Sequence, residues 1–190
     1  MKPSSKLLAT ALAFGLSFSA QASLIGDTVE INQFFPDLAS PINDLGGPFV
    51  VEAGDGDVVE QTTQDIFFNV EAQSLHIYFD PANGPIDWLS AAFNGFVFLD
   101  LDWVGMPAAV IDSVLVSSTV TGFTDDRVSF TDHSVAVNME SLTHTGGTID
   151  IYLTPTHTAV PEPAGFGLLG LGLLGLLVAH RRIRTYALSS

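Results

Sequence analysis

The chain has 190 residues, contains no cysteine and carries a formal net charge of −15 at pH 7. Its length suffices for one domain with a sizeable core, and without cysteine it has no disulfide framework, thiol nucleophile or thiolate metal site. The negative charge repels nucleic acid, which excludes nucleic-acid binding as a function.

The first 22 residues have the three parts of a secretory signal peptide. Lys2 and Lys6 give a basic start, residues 7–18 form an apolar middle, and Ala20 and Ala22 form a small-x-small cleavage site. This order predicts that residues 1–22 are removed and that Ser23 becomes the new N-terminus. We therefore expect the chain to be exported through the inner membrane.

From residue 23 to residue 153 the apolar residues recur with the period of two that is typical of β-strands. Turn-forming residues separate these stretches, and Asp132-His133 predicts a two-residue hairpin. We expect an all-β domain over 23–153, an antiparallel β-sandwich of about eight to ten strands with a jelly-roll-like arrangement. The one helical element expected in it is a short turn over residues 87–92. The strand stretches are 65–71, 74–80, 95–101, 127–132, 134–139 and 147–153.

The exported part is more acidic than the chain as a whole. Residues 23–160 hold 20 Asp and Glu against a single basic residue, Arg127, which gives a formal charge of −19. Such a charge repels itself, and bound divalent cations would relieve the repulsion. Arg127 follows Asp125 and Asp126 at the start of a strand, so we expect it to form a structural ion pair rather than a substrate contact.

Two pairs of aspartates are candidate calcium ligands. Asp55 and Asp57 lie in an acidic turn, and Asp100 and Asp102 end an apolar strand, where the i, i+2 spacing places both carboxylates on one face. Calcium binds about six to eight oxygen atoms from flexible carboxylates and backbone carbonyls. Neither stretch has the spacing of an EF-hand, and solvated turn aspartates are the alternative interpretation.

Three aromatic residues, Trp88, Trp103 and Tyr78, are candidates for sugar contact, because flat aromatic rings suit the apolar faces of pyranose rings. The alternative is that they belong to the core or its rim. The sequence contains no G-x-S-x-G elbow, H-E-x-x-H pair or P-loop. We expect the scattered histidines to be polar surface residues and the chain not to be an enzyme. These histidines are His76, His133, His144 and His157.

The C-terminal part begins with a polar stretch, residues 154–159, which predicts a Thr-rich stalk. Pro161, Glu162 and Pro163 then precede 16 uncharged residues, 164–179. As a helix this run would be about 24 Å long, close to the thickness of a bilayer core, so it predicts a transmembrane helix. Arg181, Arg182 and Arg184 follow it and mark the cytoplasmic side, with residues 185–190 as a cytoplasmic tail.

The order of Pro161, Glu162 and Pro163, an apolar helix, and then Arg181 and Arg182 resembles the PEP-CTERM sorting signal of Gram-negative bacteria. The resemblance covers residues 160–184 and implies processing by exosortase, a membrane-embedded cysteine protease. It also implies transient membrane anchoring, and then a place at the cell surface or in the extracellular matrix of exopolysaccharide- and biofilm-forming bacteria.

These features predict a non-catalytic exported protein with a structural or adhesive role in an exopolysaccharide or biofilm layer. One alternative is a carbohydrate-binding module assisted by calcium, and a third is a hydrolase or lyase that acts on polysaccharide. The expected partners are exosortase, components of the matrix and, before processing, the membrane.

Overall fold

The computed structural model describes residues 22–45, 47–55, 58–61 and 65–156, all of which belong to one unit that ends at Thr156. In these residues the chain forms thirteen β-strands and two short 3₁₀ turns, at Pro81–Asn83 and Asp125–Arg127. The strands are β1 Thr28–Phe34, β2 Pro41–Asp44, β3 Phe49–Val50, β4 Val59–Gln61, β5 Ile66–Glu71, β6 Ser74–Phe79, β7 Ile86–Asp87, β8 Gly95–Leu99, β9 Ile111–Ser118, β10 Val128–Thr131, β11 Ser134–Asn138, β12 Thr143–His144 and β13 Gly147–Pro155.

The strands form two antiparallel sheets and a short ribbon. Sheet one has the order β10-β11-β8-β1-β2, and β3 also pairs with β1. Sheet two has the order β4-β5-β6-β13-β9, and β7 and β12 form the ribbon. Register is set by the inward apolar residues, because a shift of one residue would turn the whole apolar set towards solvent.

The two sheets face each other across one core. In β5 the buried residues Ile66, Phe68 and Val70 alternate with half-buried neighbours, as the sequence pattern predicts. The ring of Phe68 meets the rings of Phe96 and Phe98 from β8 edge to face, at centroid distances of 4.8 and 6.1 Å. Since β5 belongs to sheet two and β8 to sheet one, these rings join the sheets.

The predicted all-β antiparallel class is confirmed. The described residues form thirteen strands and not the predicted eight to ten, and two further details of the fold prediction are wrong. Strands β4, β5 and β6 pair as a meander within one sheet, which differs from the two Greek keys of a jelly roll. The expected helical turn over 87–92 is absent: Asp87 pairs with Thr143 in the ribbon, and the backbone N–H of Trp88 donates to the carbonyl of Leu142 at 2.8 Å.

The predicted stalk starts too early in the chain. Thr154 and Pro155 belong to β13, where they pair with Ser113 and Ile111 of β9. The backbone N–H of Thr156 donates to the carbonyl of Val110, and its hydroxyl accepts from the N–H of Val110. The sheet therefore extends to Pro155 and the hydrogen-bonded domain to Thr156, three residues beyond the predicted domain end.

Within the described residues there is no helix of the length and apolarity needed to cross a membrane. The predicted transmembrane helix over 164–179 lies outside that part of the chain.

Candidate functional site

The predicted processing sites lie largely outside the described residues. The residues outside the described part include Ala20, His157 and everything from residue 158 onward. The sorting-motif residues Pro161, Glu162, Pro163, Arg181 and Arg182 are among them. At the other end, Ala22 is buried and its carbonyl accepts from Nε2 of Gln73 at 2.9 Å. Ser23 forms an isolated bridge with Val104, and Leu24 is fully buried. The core therefore begins within two residues of the predicted signal-peptide cleavage site.

A groove of about 230 Å³ lies on the outer face of sheet one. Its floor is apolar and is continuous with a small second cluster, in which Phe34, Val97 and Ala136 are buried against Phe93. Hydroxyl groups stand along one side, and two of them, from Thr131 and Ser134, are hydrogen-bonded at 2.7 Å. The lining residues are Phe34, Leu38, Val97, Leu99, Ser129, Phe130, Thr131, Ser134 and Ala136.

Two groove residues, Leu38 and Phe130, expose 53% and 41% of their surface although both are large and apolar. A concave apolar surface with a few converging polar groups is the usual form of a small-ligand site. The groove can therefore take a flat apolar face with hydroxyl groups at its edge. No sequence pattern indicated this groove, because its residues come from β1, β8, β10, β11 and the loop after β1.

The carboxylates of Asp27, Asp100 and Asp102 lie near one another. Asp27 is the residue before β1, and the other two are in the loop after β8. Asp27 accepts the backbone N–H of Asp102 at 2.7 Å. Burial raises the pKa of Asp27, and the nearby negative charges of Asp102 and Asp100 raise it further, while the backbone hydrogen bonds from Asp102 and Thr28 act in the opposite direction. Sequence reasoning missed Asp27, which is 73 residues from Asp100 along the chain.

The reason given for pairing Asp100 with Asp102 is wrong. Strand β8 ends at Leu99, and Asp100 has a positive φ of 57°, so the alternation of a strand does not apply to it. Asp102 instead pairs with Nδ1 of His133 at 2.8 Å. Among the described residues, no three His, Asp or Glu side chains are arranged to hold a metal ion.

The other predicted calcium pair is only half described. Asp55 is exposed and receives a long contact of 3.5 Å from Nδ2 of Asn69. Asp57 lies outside the described residues. Calcium binding at Asp55 and Asp57 stays a prediction.

The predicted aromatic platform does not form. Trp88 and Trp103 expose 7% and 2% of their surface and belong to the core. Trp88 packs edge to face on Phe96, and its Nε1–H donates to Nε2 of His144. Tyr78 is 43% exposed on the outer face of sheet two, away from the buried tryptophans.

Arg127 has a different partner from the predicted one. Its Nη1 donates to the backbone carbonyls of Glu140 and Asn138, at 2.9 and 3.3 Å. Within the described part of the chain, the ion pairs involve histidines, and none includes Arg127. The guanidinium thus ties the turn before β10 to the end of β11 through main-chain oxygens.

The histidines differ more from each other than predicted. His133 is exposed in the β10–β11 turn, whereas His144 is 3% exposed and packs edge to face on Phe79. Burial lowers the pKa of His144, and a backbone hydrogen bond at Gly146 partly opposes that effect. His144 is therefore a neutral core residue and not the polar surface residue that was expected.

This burial predicts a loss of stability in acid. The pKa of His144 is lower in the folded protein than in the unfolded chain, where it is about 6.5. As the pH falls below that value, the unfolded chain binds a proton before the folded protein does. The free energy of unfolding is therefore highest above pH 6.5 and decreases in acid. His144→Gln keeps an acceptor for Trp88 but cannot titrate. Urea unfolding should show that the free energy of unfolding decreases less between pH 7 and pH 5 for the variant than for the parent. Equal losses in both proteins would contradict the assignment.

His76 has partners that no sequence pattern indicated. Its Nδ1 lies 2.7 Å from Oδ1 of Asp150 and its Nε2 lies 2.9 Å from Oγ of Ser74. Ser74 and His76 share a face of β6, and Asp150 is the register partner of His76 on β13. This contact could not be predicted from local sequence, because Asp150 is 74 residues from His76 in the chain and only the pairing of β6 with β13 brings them together.

The comparison with protein families finds the PEP-CTERM protein-sorting motif at residues 159–182. That range includes Pro161, Glu162, Pro163, Arg181 and Arg182, the residues on which the predicted resemblance rests. No curated protein and no solved structure matches the chain.

Proposed function

We propose that this chain, which carries a PEP-CTERM sorting motif and is therefore exported and processed by exosortase, serves at the cell surface or outside the cell as a structural or adhesive protein. The observation that carries the proposal is the motif at residues 159–182, because it gives the protein an extracellular address. The matrix in which it acts would be an exopolysaccharide or biofilm layer. Such a role requires no catalytic step.

Two features of the described domain support this role. A two-sheet core of large apolar side chains, with Phe68, Phe79, Phe96 and Phe98 fully buried, suits a protein that must persist outside the cell without disulfides. The groove on sheet one gives it a surface for contact with a neutral matrix component. In this proposal the helix over 164–179 anchors the protein in the membrane until exosortase removes the C-terminal segment.

The processing step predicts the mass of the exported protein. Mass spectrometry of protein released from cells should show loss of residues 1–22 and of the segment beyond Pro163. A double variant, Pro161→Ala with Pro163→Ala, should keep its C-terminus and stay with the membranes, whereas Thr158→Ala, just outside the motif, should be processed normally. An intact C-terminus on released wild-type protein would contradict exosortase processing.

The structural role is tested with a deletion strain that does not produce the protein. A strain that lacks the chain should retain less layer biomass under flow, and expression of the processed protein should restore it. Unchanged retention in the deletion strain would contradict the structural or adhesive role while leaving the sorting result intact.

The groove favours a carbohydrate-binding module as the second candidate function. Phe130 and Leu38 offer apolar contact to one face of a sugar ring, and the hydroxyls of Thr131 and Ser134 lie beside them. At a formal charge of −19, residues 23–160 would favour neutral glycans over acidic ones unless calcium intervenes. Glycan-array binding tests the preference for neutral glycans, and the same array with EDTA tests the dependence on calcium. Phe130→Ala should abolish any binding that occurs in the groove.

A further inference from the structure

Three polar side chains form one hydrogen-bonded chain on the outer face of sheet two. Asp150 Oδ1 lies 2.7 Å from Nδ1 of His76, and His76 Nε2 lies 2.9 Å from Oγ of Ser74. An ionised carboxylate only accepts hydrogen bonds, so Nδ1 carries the proton and donates it to Asp150. In the neutral imidazole Nε2 is then unprotonated, and it accepts the hydroxyl hydrogen of Ser74.

The geometry follows from the two strands that carry these residues. In β6 the buried residues Leu75 and Ile77 alternate with Ser74 and His76, which places the last two side by side on the outer face. In β13 the buried residues Ile149 and Ile151 flank Asp150, which lies directly opposite His76 in the antiparallel register. All three groups thus stand on rigid, paired backbone.

This order of groups is that of an activated nucleophile: a hydroxyl, a base within hydrogen-bond reach of it, and a carboxylate that orients the base. We infer that Ser74 is a nucleophile, activated by His76, that takes an acyl group from a neutral O-acyl ester. Asp150 is a positioning residue that fixes the tautomer of His76. The inference adds a chemical activity to the proposed structural role and does not depend on it.

The groups are accessible from solvent. The side chains of His76 and Asp150 are 34% and 29% exposed, and Ser74 is half-buried. A residue buried in the core could not meet a substrate, whereas this row lies on an open face.

The surroundings define the class of substrate. On one side of the row Tyr78, 43% exposed, stacks at a tilt on Phe67 with a centroid distance of 5.9 Å. On the other side Tyr152, 47% exposed, is the register partner of Ser74. Flat aromatic rings on both sides suit an aryl or sugar carrier of the acyl group. The acidic charge of the domain disfavours an anionic carrier.

The step balances without any further reagent. As Ser74 Oγ attacks the ester carbonyl carbon, its proton passes to Nε2 of His76, and a new C–O bond forms. The bond from that carbon to the alkoxy oxygen breaks, and the leaving oxygen takes the proton from Nε2. The products are an acyl-serine and a free alcohol, and water can later repeat the sequence to release the acid.

The inference is tested on the exported protein with a fluorophosphonate, which labels activated serines by losing fluoride. Mass spectrometry should place one adduct on Ser74, and labelling should fall at least tenfold in His76→Asn. Ser74→Ala should not be labelled there. Ser117→Ala is the matched control. Ser117 is an exposed serine on the same face and is itself the register partner of Asp150 on β9, so this variant should be labelled at Ser74 as strongly as the parent protein.

The role of Asp150 has its own readout. With p-nitrophenyl acetate as the ester, Asp150→Asn should lower kcat and leave KM unchanged, while its melting temperature stays close to that of Ser117→Ala. An adduct elsewhere in the chain, or labelling of Ser74 that does not depend on His76, would overturn the inference. If His76→Asn unfolds, absence of the adduct from folded wild-type protein remains the deciding result.

Discussion

Replacement of Phe68 by alanine is expected to lower the free energy of unfolding by about 3–5 kcal/mol, as is typical of a buried phenylalanine. Phe68 is fully buried in β5, and its ring meets Phe96 and Phe98 of the opposite sheet. Alanine would leave a cavity between the sheets at the point where they contact each other, and neighbouring side chains on paired strands can close it only in part.

The matched control is the next residue back in the chain. Phe67 lies on the outer face of the same strand and is half-buried, so Phe67→Ala should cost only about 1 kcal/mol, mainly through loss of its contact with Tyr78. Both variants are measured by urea unfolding followed by tryptophan fluorescence. Similar losses for the two variants would contradict the assignment of Phe68 to the interior between the sheets.

Gly95→Ala is expected to destabilise the fold by about 3 kcal/mol or more, because overpacking of a tight site forces the backbone to move. Gly95 begins β8, where it is buried and pairs with Phe34 of β1 and Asn138 of β11. A Cβ at this position would overlap the carbonyl oxygen of Val137 and lie 3.2 Å from the backbone nitrogen of Met139. Only a displacement of β11 from β8 could make room for it.

The control for this variant is another glycine without a positive φ. At Gly47 an added Cβ would lie 2.8 Å from Cγ of Glu30 and 3.4 Å from its Cα and Cβ, so the tightest contact is with a side-chain atom and not with a backbone carbonyl. Gly47→Ala should therefore cost much less than Gly95→Ala in the same urea experiment. If Gly95→Ala unfolds at the same urea concentration as the parent, the close approach of β8 and β11 is wrong.

The parts of the fold that could be predicted are those with a local signal. Alternation in residues 65–71, 74–80 and 147–153 is a property of the nearest neighbours, and all three stretches are strands. Strands β3, β7 and β12 have two residues each, too few to show a period, so they were missed. The buried Gln33 interrupts the apolar pattern of β1, which was missed as well.

The candidate sites were harder to predict because they depend on register and burial. Nothing in the neighbours of Trp103 says that it is 2% exposed, and nothing near Asp150 says that His76 lies opposite it. Arg127 was expected to form an ion pair, but its acceptors are main-chain carbonyls at the end of β11 and in the turn after it, 11 and 13 residues further on. By contrast, the sorting motif is a contiguous signal and was identified from its residues alone.

The position of β13 has a mechanical consequence. This strand is the last part of the described domain before the C-terminal segment, and it is hydrogen-bonded to β6 on one side and β9 on the other. A force applied to the C-terminal end of β13 along the strand axis would load both ladders in shear, because the strand lies between two neighbours. Bonds loaded in this way must fail together, whereas a strand peeled from a sheet edge loses them one at a time. Any force applied to the domain through its C-terminal end thus enters through a strand that is paired on both sides.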